Sequence, residues 1–130
     1  MMFLSKGSHV ISNYAELKIL DHTTGRAAWT IPTNVYVKLH TGDPGEAATS
    51  NNATEATRKV AAWAVAASGA IATSATLEWT NVSTTETYSH WSLWDDLTAG
   101  NALWTGALSS SAAVTAGDTF QITTLTLSLD

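Results

Sequence analysis

The chain has no cysteine, two prolines and only six lysines and arginines among 130 residues. The first absence removes disulfides, thiolate nucleophiles, cysteine-type zinc sites and iron–sulfur ligation together. The shortage of cations removes the phosphate neutralisation from which most nucleic-acid affinity arises. With eleven acidic residues and a net charge of −5, neither nucleic acid nor an anionic membrane is an expected partner. No apolar run approaches the roughly 20 residues of a membrane span. The opening Met1-Met2-Phe3-Leu4 is interrupted by Lys6, Gly7 and Ser8, so no export signal is expected. Phosphate-binding, dinucleotide-binding and nucleophile-elbow motifs are also missing.

What is present is hydroxyl and tryptophan. Thirteen serines and twenty-one threonines make 34 of the 130 residues, so the polar surface is built from hydroxyls more than from charges. The length suits one domain, and at this mass about two-thirds of the unfolded surface can be buried. Residues 1–12 lack a consistent period and read as an N-terminal arm. The single β domain is expected over 13–130, with one short helix near 13–22. There Asn13 and Glu16 have capping-box spacing, and Tyr14, Leu17 and Leu20 form one stripe with Gly25 just beyond.

From Val35 the period drops to two, with Val35, Val37 and Leu39 alternating against Tyr36 and Lys38. Thr41-Gly-Asp-Pro-Gly45 is a turn, and the polar run Glu46 to Thr57 reads as a mobile surface loop. Arg58 to Ala66 reads as a strand, although its alanines alone would favour a helix. Ile71 to Trp79 forms its hairpin partner. Tyr88 to Trp94 carries large rings on both faces, the mark of a central strand. A strand follows at Ala102 to Leu108, and the phase change within Thr119 to Leu129 predicts a β-bulge. Six or seven strands with turn chemistry between them give a mainly β fold, an antiparallel β-sandwich or jelly-roll-like barrel with one short N-terminal helix.

Proton-transfer chemistry at neutral pH rests on His9, His22, His40 and His90. His90, upstream of Asp95 and Asp96, is the one to weigh as a base oriented by a carboxylate. The plainer reading is a strand histidine followed by an acidic turn. Asp43, Asp95, Asp96 and Asp118 are hard ligands suited to calcium, yet each sits in a turn or loop, where Asp serves without metal. No cofactor and no metal are expected, and no catalytic residue. The sequons at Asn52 and Asn81 are read as chance matches in a threonine-rich chain.

Trp63, Trp79, Trp91, Trp94 and Trp104 can supply much of a small core. Because Trp91 and Trp94 stand on opposite faces of one strand, the second face needs a cover. The Tyr14, Leu17, Leu20 stripe is one candidate cover and an oligomer interface is the other. The surplus aromatics also leave open a sugar-binding platform.

Three stretches carry a family resemblance. They are Leu17-Lys-Ile-Leu-Asp-His22, Val35-Tyr-Val-Lys-Leu-His-Thr-Gly-Asp-Pro44, and the run from Tyr88-Ser-His-Trp-Ser-Leu-Trp-Asp95 through Gly100-Asn-Ala-Leu-Trp104 to Leu125-Thr-Leu-Ser-Leu-Asp130. In this order they resemble small tailed-bacteriophage virion proteins labelled tail fibre or head decoration proteins. The pattern departs at Arg58-Lys59-Val60. The resemblance implies a non-enzymatic structural protein of the virion, assembled in the host cytoplasm. Capsid decoration is the favoured expectation, since the chain has no heptad or repeat for a fibre shaft. A tail fibre or tail-tip component and a carbohydrate-binding receptor module are the alternatives. The expected partners are the major capsid protein or tail proteins of the same virion, with a homo-oligomer. The expected contacts are Phe3, Leu4, Tyr14, Leu17, Trp91 and Trp94.

Overall fold

The computed structural model describes residues 9–129; Phe3 and Leu4 lie outside them. In chain order the elements are β1 (His9–Ile11), α1 (Asn13–Thr23), β2 (Val35–His40), β3 (Lys59–Ala61), β4 (Ala70–Ala72), β5 (Leu77–Trp79), β6 (Glu86–Trp94), β7 (Ala102–Val114), β8 (Phe120–Ile122) and β9 (Thr126–Ser128). A five-stranded antiparallel sheet has the order β1-β7-β6-β2-β3, and two ribbons, β4-β9 and β5-β8, complete the fold. The expected mainly β architecture with one short helix is what forms, and its arrangement is that of a sandwich. Among the described residues no helix is long and apolar enough to cross a membrane.

The alternation in β2 decides which face is the core. Val37 and Leu39 are fully buried and stand opposite Leu93 and Trp91 of β6, where they meet Leu77, Trp79, Ile122, Leu125 and Leu127 from the ribbon side. Trp79 is the largest fully buried side chain. Its ring packs against Phe120 at 5.9 Å, Phe120 in turn meets Tyr88 edge-on at 5.1 Å, and its indole N–H donates to the Thr57 carbonyl at 2.8 Å. The ring thus buries its area without leaving its one donor unpaired.

Several expectations change here for physical reasons. The helix cap is Ser12 and not Asn13: its Oγ accepts from the Ala15 amide at 3.1 Å and donates to the Ala102 carbonyl at 2.6 Å. One hydroxyl therefore caps α1 and ties it to β7. The helix also faces the other way. Ala15 is buried and Ile19 half-buried, whereas Leu17 is 64% and Leu20 60% exposed, so the Tyr14, Leu17, Leu20 stripe does not cover the sheet.

Regular pairing in the segment after Arg58 is confined to Lys59–Ala61. Beyond it, single bridges Trp63 to Thr73 and Ala67 to Ala70 hold an irregular hairpin about the Ser68-Gly69 turn. Ile71 to Trp79 is two strands, because the chain changes partner from β9 to β5's neighbour β8 between them. The same switch accounts for the phase change after Ile122. Thr73 bridges the break, its Oγ1 accepting from the Leu125 amide at 3.0 Å while its own amide donates to the Leu125 carbonyl at 2.9 Å. The register shifts fall instead between β6 and β7, at Tyr88/His90 and Leu93/Trp94.

The run from Glu46 to Thr57 is not merely a polar surface loop. Ala48 and Ala53 are buried, and the Glu86 carboxylate accepts from the Thr54 and Glu55 amides at 3.0 and 3.1 Å. Small alanines sink where a larger residue would stand out, and local side-chain bonds satisfy the backbone.

Candidate functional site

The sheet face turned away from the core carries a grouping of polar and aromatic side chains. Cross-strand register places Tyr36 opposite Trp94, Lys38 opposite Ser92, and His40 opposite His90. His40 and Ser92 are both fully buried. The Trp94 indole N–H donates to Ser92 Oγ at 2.7 Å. Since that oxygen is accepting, its own proton is free for His40 Nε2, 2.7 Å away. His40 Nδ1 then carries the hydrogen and donates to the Ser50 carbonyl at 3.0 Å. This chain of donors fixes a neutral imidazole in one tautomer. Burial is the main cause that pushes the His40 pKa down to about 4, helped by the nearby Lys38 charge and opposed by the Ser50 hydrogen bond. At neutral pH the His40 imidazole is therefore uncharged in the folded chain.

Trp94 is held from above by cations. The Arg58 guanidinium lies 3.9 Å from the ring centroid and the Lys38 ammonium 5.9 Å, a cation–π arrangement. Arg58 Nη1 also donates to the Asp96 and Ala99 carbonyls, both at 2.7 Å, so it fastens the β6–β7 hairpin loop. Lys38 donates to Asn52 Oδ1 at 2.7 Å. Burial first and the Arg58 charge second hold the Lys38 pKa below the usual lysine range.

The four loop aspartates act on their own turns. Asp43 accepts from the Gly45 amide, Asp95 from the Asn101 amide and side chain, Asp96 from Thr98 and Ala99, and Asp118 from Thr115. Their oxygens serve the turn role that their sequence positions suggested. His90 is bonded to the neighbouring Ser89 hydroxyl at 2.9 Å, while Asp95 and Asp96 are engaged in the hairpin.

A cleft of about 400 Å³ opens beside this network. Tyr14 and Trp94 line it together with Asn13, Asn101, Glu46 and Thr49. A second, larger groove of about 600 Å³ runs between β7 and the β8–β9 connection, lined by Trp91, Leu108, Phe120 and several hydroxyl residues. Of the expected contact residues, Tyr14 and Trp94 meet at the smaller cleft, Leu17 stands in solvent on the outer side of α1, and Trp91 belongs to the core at 4% exposure. Arg58, Lys38, Ser92, Glu46 and Asn101 were not singled out as site residues from sequence, and His40 was named only among the four histidines. The one available signal was scarcity: with six cations in the chain, Lys38 in an apolar alternation and Arg58 just ahead of the long uncharged run between Lys59 and Glu78 invite a structural explanation.

A family described as Podophage GP4 fiber I protein gp80 matches residues 10–130. No curated protein matches the chain.

Proposed function

Because the chain belongs to the Podophage GP4 fiber I protein gp80 family, a family of tailed-phage virion proteins, we propose that it is a non-enzymatic subunit of a virion fibre. It attaches through the outward stripe of α1. The observation that carries the attachment is the exposure of Leu17 and Leu20, at 64% and 60%. They lie one helical turn apart on a helix whose opposite side already fills its place against β7. Two leucines held at fixed spacing on a capped helix are rigid apolar anchors, and anchors of that kind dominate protein association where few charges are available. Neighbouring copies of the chain and tail proteins of the same virion are the partners this reading assigns.

The non-enzymatic part is supported by how the polar side chains are used. The aspartates satisfy turns, His40 is locked neutral inside a donor chain, and Arg58 and Lys38 hold Trp94 and loop carbonyls. Each is committed to structure. Decoration of the capsid surface is the second reading, favoured by the lack of a heptad or repeat for a shaft; the fibre description of the family weighs the other way. A reconstruction of purified particles separates the two. Density for this fold confined to the tail vertex supports the fibre subunit, and density repeated over the head lattice overturns it in favour of decoration.

A further inference from the structure

We propose that the cleft between the N-terminal turn of α1 and the β6–β7 hairpin binds a neutral saccharide, a role separate from attachment to the virion. Its volume of about 400 Å³ lies within the ~300–1,000 Å³ of small-molecule sites and accommodates about one or two pyranose rings. A pyranose has C–H groups on its faces and hydroxyls around its rim. The cleft offers both complements: aromatic side chains from Tyr14 and Trp94, and an amide, hydroxyl and carboxylate rim from Asn13, Asn101, Thr49 and Glu46.

The sign of the site restricts the ligand further. Glu46 is the one charged residue among those lining the cleft, and the cations nearest to Trp94 do not line it. Two amides of the helix's first turn are already engaged. The Ala15 amide is taken by Ser12 Oγ, and the Glu16 amide by the Ser12 carbonyl. A carboxylate, sulfate or phosphate on the sugar would therefore meet a like charge at Glu46. A neutral hydroxyl instead donates to the carboxylate.

The hairpin wall is fixed before any ligand arrives. Trp94 is bonded to Ser92 and stacked by Arg58. The Asn101 side chain is oriented by its 3.1 Å bond to Asp95, which leaves its carbonyl oxygen and second amide hydrogen for a ligand. The Glu46 wall is tied by Asn51 Nδ2 to the Asp43 carbonyl at 2.7 Å and by the Ser50 amide to the Pro44 carbonyl at 3.1 Å. Trp94 and Asn101 therefore have little side-chain freedom left to lose on binding, which lowers the cost of ordering them around a ligand.

The test is titration of the full-length protein with two panels, followed by tryptophan fluorescence and by ligand-observed magnetic resonance. The neutral panel is maltose, cellobiose, lactose and chitobiose, and the acidic panel is sialyllactose and a glucuronate disaccharide. At least one neutral sugar binds and the acidic ones do not. Tyr14→Ala weakens that binding by about tenfold, the loss of one aromatic contact. Glu46→Lys, on the exposed loop and outside the core, moves the preference toward the acidic panel, and it provides the answer should Tyr14→Ala fail to fold. Absence of binding to every neutral sugar, preference of the unaltered protein for the acidic panel, or full-strength neutral binding in folded Tyr14→Ala overturns the proposal.

Discussion

Acidification is the sharpest perturbation of the His40 network. In the folded chain the imidazole stays neutral until the pH nears 4, whereas in the unfolded chain it takes up a proton near 6.5. Between those values the unfolded state binds more protons, so protonation draws the equilibrium toward unfolding. Stability is greatest above pH 6.5 and declines as the pH falls, levelling off near 4. A difference of roughly 2.5 pK units at ~1.36 kcal/mol each sets an upper bound of about 3 kcal/mol. About 2 kcal/mol of it is lost between pH 7 and pH 5, before ordinary carboxylates titrate. Urea unfolding followed by tryptophan emission at intervals across that range reads the slope directly. His40→Gln, which keeps a donor and an acceptor but does not titrate, starts from a lower stability and shows a flatter profile. An equal slope in His40→Gln would assign the acid sensitivity to another group and refute the buried neutral imidazole. A flat profile in the unaltered protein would refute it as well.

Three substitutions probe the elements around that network. Arg58→Met removes two charge-assisted bonds to loop carbonyls and a cation–π contact at a half-buried site. It costs about 2–3 kcal/mol by chemical denaturation, and Arg58→Lys recovers less than half because a point charge cannot span both carbonyls and the ring. Gly100→Ala forces a side chain onto φ +77°, with its methyl 2.6 Å from the Asp96 Cβ and against the Asp95 carboxylate. It lowers stability by more than about 1 kcal/mol, and solution spectra should place the change in the hairpin. The Tyr88 hydroxyl is buried without a hydrogen-bond partner, and burial, reinforced by Glu86 and Glu55, raises its pKa to about 12. Tyr88→Phe is thus close to neutral in thermal melts, since only a poorly formed contact with Glu86 is lost while a desolvated polar group is removed.

Much of the sheet was legible because burial on one face writes itself as alternation. Val35 to His40 and Tyr88 to Trp94 show this, and the rings on both sides of β6 correctly placed it between neighbours. Where the chain changes partner, the pattern misleads. Thr119 to Leu129 shows a phase change that a bulge would also give, and only the location of β4 and β5 reveals a transfer from one ribbon to the other. The helix shows a second limit. Its apolar stripe at Tyr14, Leu17 and Leu20 has the spacing of a buried face, yet Ala15 and Ile19 take the inside because the Ser12 cap bonds to Ala102 and sets the rotation of the helix. The site was the least legible part. His40 meets Ser92 across 52 residues of sequence and Arg58 meets the Asp96 and Ala99 carbonyls across about 40, so no local spacing could announce either contact.

In the proposed function the outward leucines of α1 attach this protein to the virion. This attachment is tested most directly by phage carrying Leu17→Asp with Leu20→Asp, whose purified particles are compared with unaltered ones by quantitative mass spectrometry. Both positions face solvent in the isolated chain, so the variant loses no core contact and stays folded, at a helix cost of about 1 kcal/mol. Particles are expected to contain the original protein and to lack the variant. Equal incorporation of the two, or particles that never contain the original protein, would contradict the attachment.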